Sequence, residues 1–118
     1  MAREKFQTLT EQMFYVLLCL REECCGMDLM ERIRLLTSGR VSVGPGTLYN
    51  LLEQFAAEGY LVETKCEGRR RSYVLTEKGE ERLHGEMDRL TAQMNDYQRL
   101  LKGGDKPCEL TDGTRSGN

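Results

Sequence analysis

The segment Val43-Gly44-Pro45-Gly46-Thr47-Leu48-Tyr49-Asn50 is the most informative part of this chain, because it ends a loop and begins a helix. Proline has a fixed φ and no amide hydrogen, so Pro45 suits the first helical turn, where that donor would lack a partner. Apolar residues then recur at helical spacing and form one stripe: Leu48, Leu51, Leu52 and Phe55. Gly59, just beyond the stripe, predicts where the helix ends.

The opposite face of this helix is polar. Its side chains can hydrogen-bond base edges or phosphate oxygens: Thr47, Tyr49, Asn50 and Gln54. An ordinary solvated helix face is the alternative interpretation.

A basic β-hairpin follows the helix. Residues 60–65 alternate as in a half-buried strand, Glu67-Gly68 predicts a turn, and residues 73–75 predict the return strand. Although the formal net charge of the chain is −2, residues 65–73 contain one acid and four bases, which are Lys65, Arg69, Arg70 and Arg71. The hairpin is therefore electropositive within an acidic chain. A solvated hairpin without a partner is the alternative.

Two helices are predicted before this segment. Thr8 and Glu11 have the spacing of a capping box, which predicts that Thr8 caps the first helix. The second is predicted over residues 27–37, with Ile33, Leu36 and either Met30 or Leu29 facing the core.

Residues 40–43 are short and rich in β-branched side chains, which predicts a small strand. The elements together predict a mainly α winged helix-turn-helix with a small β-wing, in the order α-α-β-α-β-β, followed by a long helix that Thr76 caps.

The last helix carries an apolar repeat with spacings of four and three, typical of a coiled-coil seam. The repeat consists of Leu83, Met87, Leu90, Met94, Tyr97 and Leu101. We expect it to form a homodimer interface; packing against the first helix of the same chain is the alternative. The predicted organisation is an N-terminal arm (1–7), a winged-helix domain (8–75), a dimerisation helix (76–102) and a disordered tail (103–118).

Three blocks of sequence resemble the PadR-like family of bacterial transcriptional regulators. They are Pro45-Gly46-Thr47-Leu48-Tyr49, Glu58-Gly59-Tyr60-Leu61 and Tyr73-Val74-Leu75-Thr76-Glu77-Lys78-Gly79. The resemblance implies a winged-helix head, a dimer through the C-terminal helix, and repression from a palindromic operator. Because one helix is predicted after the wing, the chain is similar to the family's short subgroup, whose members have a single C-terminal helix. Asn50 stands where the family commonly has proline, and Met27 where it commonly has tyrosine.

The predicted partner is therefore double-stranded DNA. Thr47, Asn50 and Gln54 are candidates for base edges, whereas Tyr49 and the helix N-terminus would contact phosphate. Phosphate contacts are also expected from the wing: Lys65, Arg69, Arg70 and Arg71. Arg70→Ala is expected to weaken binding at every sequence and to reduce its salt dependence.

The resemblance also implies an aromatic or drug-like effector in an apolar space at the dimer centre, between the first and last helices. Its candidate residues are Phe6, Met13, Phe14, Met87, Met94 and Tyr97. Plain core packing is the alternative for such a stripe.

Two other functions remain open. One is a thiol- or metal-responsive regulator, if Cys24 and Cys25 are exposed and can pair across a dimer or with Cys66. The other is a winged-helix module for protein contacts without DNA binding. We expect no enzymatic activity, cofactor or metal, because His84 is the sole histidine and no catalytic motif is present. Five cysteines without paired spacing, and no membrane span or signal peptide, predict a cytoplasmic protein.

Overall fold

The computed structural model describes residues 8–102, so the predicted arm (1–7) and tail (103–118) lie outside the described residues. The helices are α1 (Glu11–Cys19), α2 (Gly26–Leu36), α3 (Pro45–Ala57) and α4 (Glu77–Leu101). The strands are β1 (Cys24–Cys25), β2 (Leu61–Glu67) and β3 (Arg70–Leu75). This architecture confirms the mainly α winged helix-turn-helix with a C-terminal helix.

The three strands form an antiparallel sheet in the order β1-β3-β2. The hairpin pairs Leu61 with Leu75 and Glu67 with Arg70, with an irregularity between Glu63 and Lys65. On the other side of β3, Cys24 pairs with Tyr73. The sheet therefore joins the wing to the segment that leads into α2.

The position of the third strand differs from the prediction, because residues 40–43 form a loop and β1 supplies the strand. The prediction of a strand from the β-branched side chains was wrong: Val41 and Val43 are buried, but in a loop. The loop satisfies its backbone differently, since the Val41 N–H donates to the Thr37 hydroxyl at 3.0 Å. The Gln12 side chain donates to the Ser42 carbonyl at 3.0 Å.

The core lies among α1, α2, α3 and the sheet. Its most deeply buried apolar side chains are Val16, Leu17, Leu20, Leu29, Ile33, Leu48, Leu52, Phe55, Tyr60 and Leu61. The predicted stripe of α3 is buried in full. In α2 the prediction for Leu36 was wrong, because Leu36 is exposed in the last turn while Leu29 and Ile33 face the core.

The helix ends follow local chemistry, with one correction. Thr10, not Thr8, caps α1, and its side chain accepts from the Met13 N–H at 3.2 Å. Met13 takes the place of Glu11 in the reciprocal contact, because the helix begins later than the Thr-x-x-Glu spacing suggests. Gly59 follows the C-cap of α3 with φ +83°, which confirms it as the terminating glycine.

Thr76 links the end of α3 to the start of α4. Its hydroxyl accepts from the Gly79 N–H at 3.1 Å, which confirms the predicted cap. The same hydroxyl donates to the Gly59 carbonyl at 2.6 Å, and the Thr76 N–H donates to the Tyr60 carbonyl at 2.9 Å.

The chain separates into two compact units, Met1–Glu86 and Met87–Asn118, of which residues 8–86 and 87–102 are described. The first unit contains the winged-helix elements and the first turns of α4; the described part of the second is the remainder of α4. Within residues 8–102, every helix is too short or too polar to cross a bilayer.

Candidate nucleic-acid interface

The polar face predicted for α3 is largely exposed. Thr47 and Asn50 lie in the first two turns and are open to solvent, whereas Gln54 is half-buried. Gly44 caps the helix without a side-chain hydrogen bond, so no side chain satisfies the first amides of α3 within the described residues. The N-terminal half of α3 therefore presents both amide donors and short polar side chains.

Tyr49 has a different setting from Thr47 and Asn50. Its ring lies against Gly26 at the start of α2, where an added Cβ would come within 2.6 Å of the Tyr49 hydroxyl oxygen. Only glycine leaves room for the ring in this position, because any side chain at residue 26 would collide with it. Tyr49 is still partly exposed, so it is both a packing residue and a surface residue.

The basic residues of the wing fall into separate groups. Lys65 and Arg69 are exposed, and within residues 8–102 their side chains have no ion-pair partner. Arg70 donates through Nη2 to Asp28 Oδ2 at 3.3 Å and contacts Cys25 Sγ at 3.3 Å. Sequence reasoning missed Asp28, because nothing in the separation of residues 28 and 70 indicates that α2 and β3 meet there.

Arg71 lies on the face of the hairpin opposite Arg70, as alternation along a strand requires. The Glu63 carboxylate and a hydrogen bond with Tyr73 raise the pKa of the Arg71 guanidinium. Burial raises the pKa of the Tyr73 phenol, and the bond with Arg71 partly offsets that effect.

An open groove of about 320 Å³ separates α3 from this side of the hairpin. Its lining consists of Tyr49, Leu52, Glu53, Ala56, Glu63, Arg71 and Tyr73.

Of the four cysteines within residues 8–102, three are buried, which limits their access to oxidants. The thiol-responsive alternative required Cys24 and Cys25 to be exposed, and this condition is not met, because both side chains are buried where β1 pairs with β3. Burial also raises the pKa of the Cys24 thiol, which lowers its reactive thiolate fraction. Cys66, on β2, is exposed. Across residues 8–102, no three His, Cys, Asp or Glu side chains are grouped to hold a metal ion.

The apolar repeat of α4 is exposed except at its first position. Leu83 is buried in the core of the first unit, so it does not belong to an exposed seam. The five later positions are exposed: Met87, Leu90, Met94, Tyr97 and Leu101. Among the other effector candidates, Met13 and Phe14 are partly buried against the core, and Phe6 lies outside the described residues.

Solved structures of bacterial regulators share this fold. A transcriptional regulator from Clostridium thermocellum, Cth-833, is 19% identical, with a TM-score of 0.65 over 74% of this chain and 89% of its own. A PadR family regulator from Eggerthella lenta is 23% identical, with a TM-score of 0.65 over 79% and 83%. Bacillus subtilis PadR, solved in complex with operator DNA, is 22% identical, with a TM-score of 0.59 over 66% and 47%.

The sequence itself decides the family. No curated protein sequence matches this chain. The sequence profile described as the transcriptional regulator PadR-like family matches residues 16–85, which is more than half of the chain. That range contains α2, α3 and the whole wing. The chain therefore belongs to the PadR-like family of transcriptional regulators.

Proposed function

We propose that this chain is a homodimeric regulator that binds a palindromic operator in double-stranded DNA, represses transcription, and is released by a small molecule. The observation that carries the proposal is the exposure of Thr47 and Asn50 at the start of α3, in the same domain as a hairpin whose Lys65 and Arg69 are uncommitted. The operator complex of Bacillus subtilis PadR, which shares the fold, supports it.

Base recognition is assigned to the N-terminal half of α3, which would enter the major groove. The Asn50 amide can pair bidentately with adenine, and Thr47, three residues earlier, lies on the same face. Gln54 continues this face one turn later but is half-buried, which gives it a more peripheral position.

Phosphate contacts are assigned to groups that are exposed and positive. Lys65 and Arg69 supply them from the wing, and the uncapped amides of α3 supply them at the helix start. Tyr49 and Arg71 line the groove between α3 and the hairpin, and we assign them a contact with a neighbouring phosphate.

DNA binding is tested by fluorescence anisotropy, first with genomic fragments and then with the operator mapped from them. Each titration is repeated at salt concentrations from about 50 to 200 mM, because binding through phosphate contacts weakens strongly over this range. Asn50→Ala is expected to reduce discrimination at one base position by about 1–3 kcal/mol. Arg69→Ala is expected to weaken binding to all sequences and to reduce the salt slope by about 0.9 for each phosphate that the variant no longer neutralises.

The matched control for Arg69→Ala is Arg99→Ala, which removes the same charge from α4, where Arg99 is bonded to Asp96. If neither Arg69→Ala nor Arg99→Ala changes the salt slope, the assignment of phosphate contacts to the wing is contradicted. Binding that is independent of salt in the wild type would contradict DNA recognition altogether and would favour a protein-contact module.

Repression and release are assigned by family membership, and adaptable apolar side chains support a small-molecule effector. Met87, Met94 and Tyr97 are exposed on α4, and methionine adapts to ligands of varied shape. In a reporter assay, the wild type is expected to lower transcription, and a planar aromatic compound that relieves it should dissociate the purified operator complex. A complex that resists a panel of such compounds and dissociates with mild peroxide would favour the thiol-responsive alternative.

A further inference from the structure

The first turn of α2 contacts the wing at two levels. In the backbone, β1 leads directly into α2, and Cys25 pairs with Ser72 of β3. In the side chains, the Arg70 guanidinium lies 3.3 Å from Asp28 Oδ2 and 3.3 Å from Cys25 Sγ. The wing is thus attached to α2 through both β3 and Arg70.

The same turn also contacts α3. The Tyr49 ring lies against Gly26, so close that an added Cβ would come within 2.8 Å of a ring carbon. Residues 25–28 therefore contact the recognition helix on one side and the wing on the other. We call these residues the α2 anchor.

We propose that Arg70 and Asp28 are positioning residues, which orient the wing relative to α3 through the α2 anchor, and that Arg70 does not bind phosphate. This inference rests on the proposed DNA-binding function. It divides the arginine run of the wing by role: Arg69 meets the DNA backbone, and Arg70 holds the hairpin in place.

Charge and geometry support this division. The charge of Arg70 is already balanced by Asp28, and its Nη2 group donates to both Asp28 and Cys25, so a phosphate would attract Arg70 less than an arginine without an acidic partner. Arg69, at the hairpin turn, has no such partner among residues 8–102. Because Arg70 and Asp28 are 55% and 65% exposed, their ion pair is a modest restraint, and its removal is expected to weaken operator binding about two- to fivefold.

The two roles predict opposite results for Asp28→Asn. If Arg70 binds phosphate, removing the competing acid should tighten operator binding. If Arg70 and Asp28 position the wing, the substitution should weaken binding about two- to fivefold. The control is Glu31→Gln, which removes an acid from the same helix at a residue bonded to Arg34; it is expected to leave binding unchanged or slightly tighter.

The salt slope separates positioning from phosphate binding in the arginines. Arg70→Ala is expected to weaken binding about two- to fivefold while keeping the wild-type slope. This replaces the reduced salt dependence expected from the sequence, which treated Arg70 as a phosphate contact. Arg69→Ala is expected to lower the slope by about 0.9 for each phosphate left without its cation. The double variant of Arg70→Ala with Asp28→Asn should bind no more weakly than either single variant, because both remove one interaction.

Three results would overturn the inference: a reduced salt slope in Arg70→Ala, tighter binding in Asp28→Asn than in Glu31→Gln, or fully additive losses in the double variant. If the wild type binds no DNA, the proposed function fails, and the anchor is tested without DNA by amide hydrogen exchange. Arg70→Ala and Asp28→Asn should then accelerate exchange in residues 61–75, whereas Arg69→Ala and Glu31→Gln should not. Equal exchange in all five proteins would overturn the anchor.

Discussion

At the level of single residues, the Thr37 hydroxyl supplies a hydrogen-bond partner that a neighbouring strand would otherwise provide to the loop after α2. It is buried, donates to the Ile33 carbonyl at 2.9 Å and accepts from the Val41 N–H at 3.0 Å. The loop between α2 and α3 can therefore bury Val41 and Val43 without a β partner. This loop sets where α3 begins, so the hydroxyl contributes to the placement of α3.

Thr37→Val should therefore destabilise the protein. The substitution keeps the shape of the side chain but leaves the buried Val41 N–H without its acceptor, which costs about 1–3 kcal/mol. Urea unfolding followed by circular dichroism measures the change in the free energy of unfolding. Ser42→Ala, at an exposed position of the same loop, is the control and should stay within about 0.5 kcal/mol of wild type. Equal stability of Thr37→Val and wild type would show that the loop does not depend on the hydroxyl.

The cysteines should differ sharply in reactivity. In a Cys108→Ser background, a thiol reagent at about pH 8 is expected to modify Cys66 rapidly, and Cys24 and Cys25 only when the protein unfolds. Both are buried, and the raised pKa of Cys24 keeps it protonated to higher pH than an open thiol. Adding Cys66→Ser should remove the fast phase. A fast phase that persists in this variant would reopen the thiol-responsive alternative.

At the level of elements, α4 combines two environments in one helix. Leu83 is packed in the core of the first unit, whereas the positions from Met87 to Leu101 expose apolar side chains at three- and four-residue spacing. Such a contiguous apolar stripe marks an interaction surface, and its 3.5-residue period suits a second copy of the same helix. The proposed homodimer rests on this element.

Met94→Lys is expected to weaken the dimer. Each protomer would lose about 1.5–3 kcal/mol of methionine burial, which should raise the dimer dissociation constant by roughly tenfold or more. Analytical ultracentrifugation across a concentration series measures the change. Ala92→Lys adds the same charge at an exposed position on the face of α4 opposite the repeat and should leave association intact. Sedimentation of both variants like wild type would place the dimer interface elsewhere.

For the molecule as a whole, local charge matters more than net charge. The chain has a formal net charge of −2. The wing nevertheless exposes Lys65 and Arg69, whose side chains have no ion-pair partner within residues 8–102. DNA affinity should therefore depend on correct docking of this basic hairpin, because the remainder of the acidic surface repels phosphate. A dimer would present two such hairpins related by a twofold axis, which matches a palindromic site.

Operator spacing should therefore control affinity. Two recognition helices in a dimer engage half-sites about one duplex turn apart, or a multiple of it. Inserting roughly half a turn, about five base pairs, between the mapped half-sites places them on opposite faces of the duplex. Affinity measured by anisotropy should fall to that of an unrelated sequence, whereas a substitution of the central base pairs at constant spacing should have less effect. Binding that tolerates the insertion would indicate independent protomers.

The helices and the wing were predictable because their signals are local. The stripe of α3, the terminating Gly59 and the existence of the first wing strand depend on residues close in sequence, and the structure confirms them. The half-buried alternation predicted for that strand was wrong, because β2 buries only Leu61 and exposes the rest of its length in the wing. The predicted cap of the first helix, Thr8, was wrong, because Thr10 lies two residues later and its hydroxyl is equally able to cap a helix; in the structure Thr10 is the cap. Exposure of Thr47 and Asn50 followed from the same periodicity, although their contacts with bases stay a prediction.

The amino-acid order alone was enough to specify the helix periodicity, the turn positions and the basic composition of the hairpin, because each depends on interactions within a few residues. Packing in three dimensions was needed to establish that Cys24–Cys25, rather than residues 40–43, completes the sheet. The same packing brings Arg70 to Asp28 and Tyr49 to Gly26. These contacts join segments that are far apart in the chain. The packing of the helices, and not the local sequence, decides which strand pairs with β3 and which carboxylate meets Arg70.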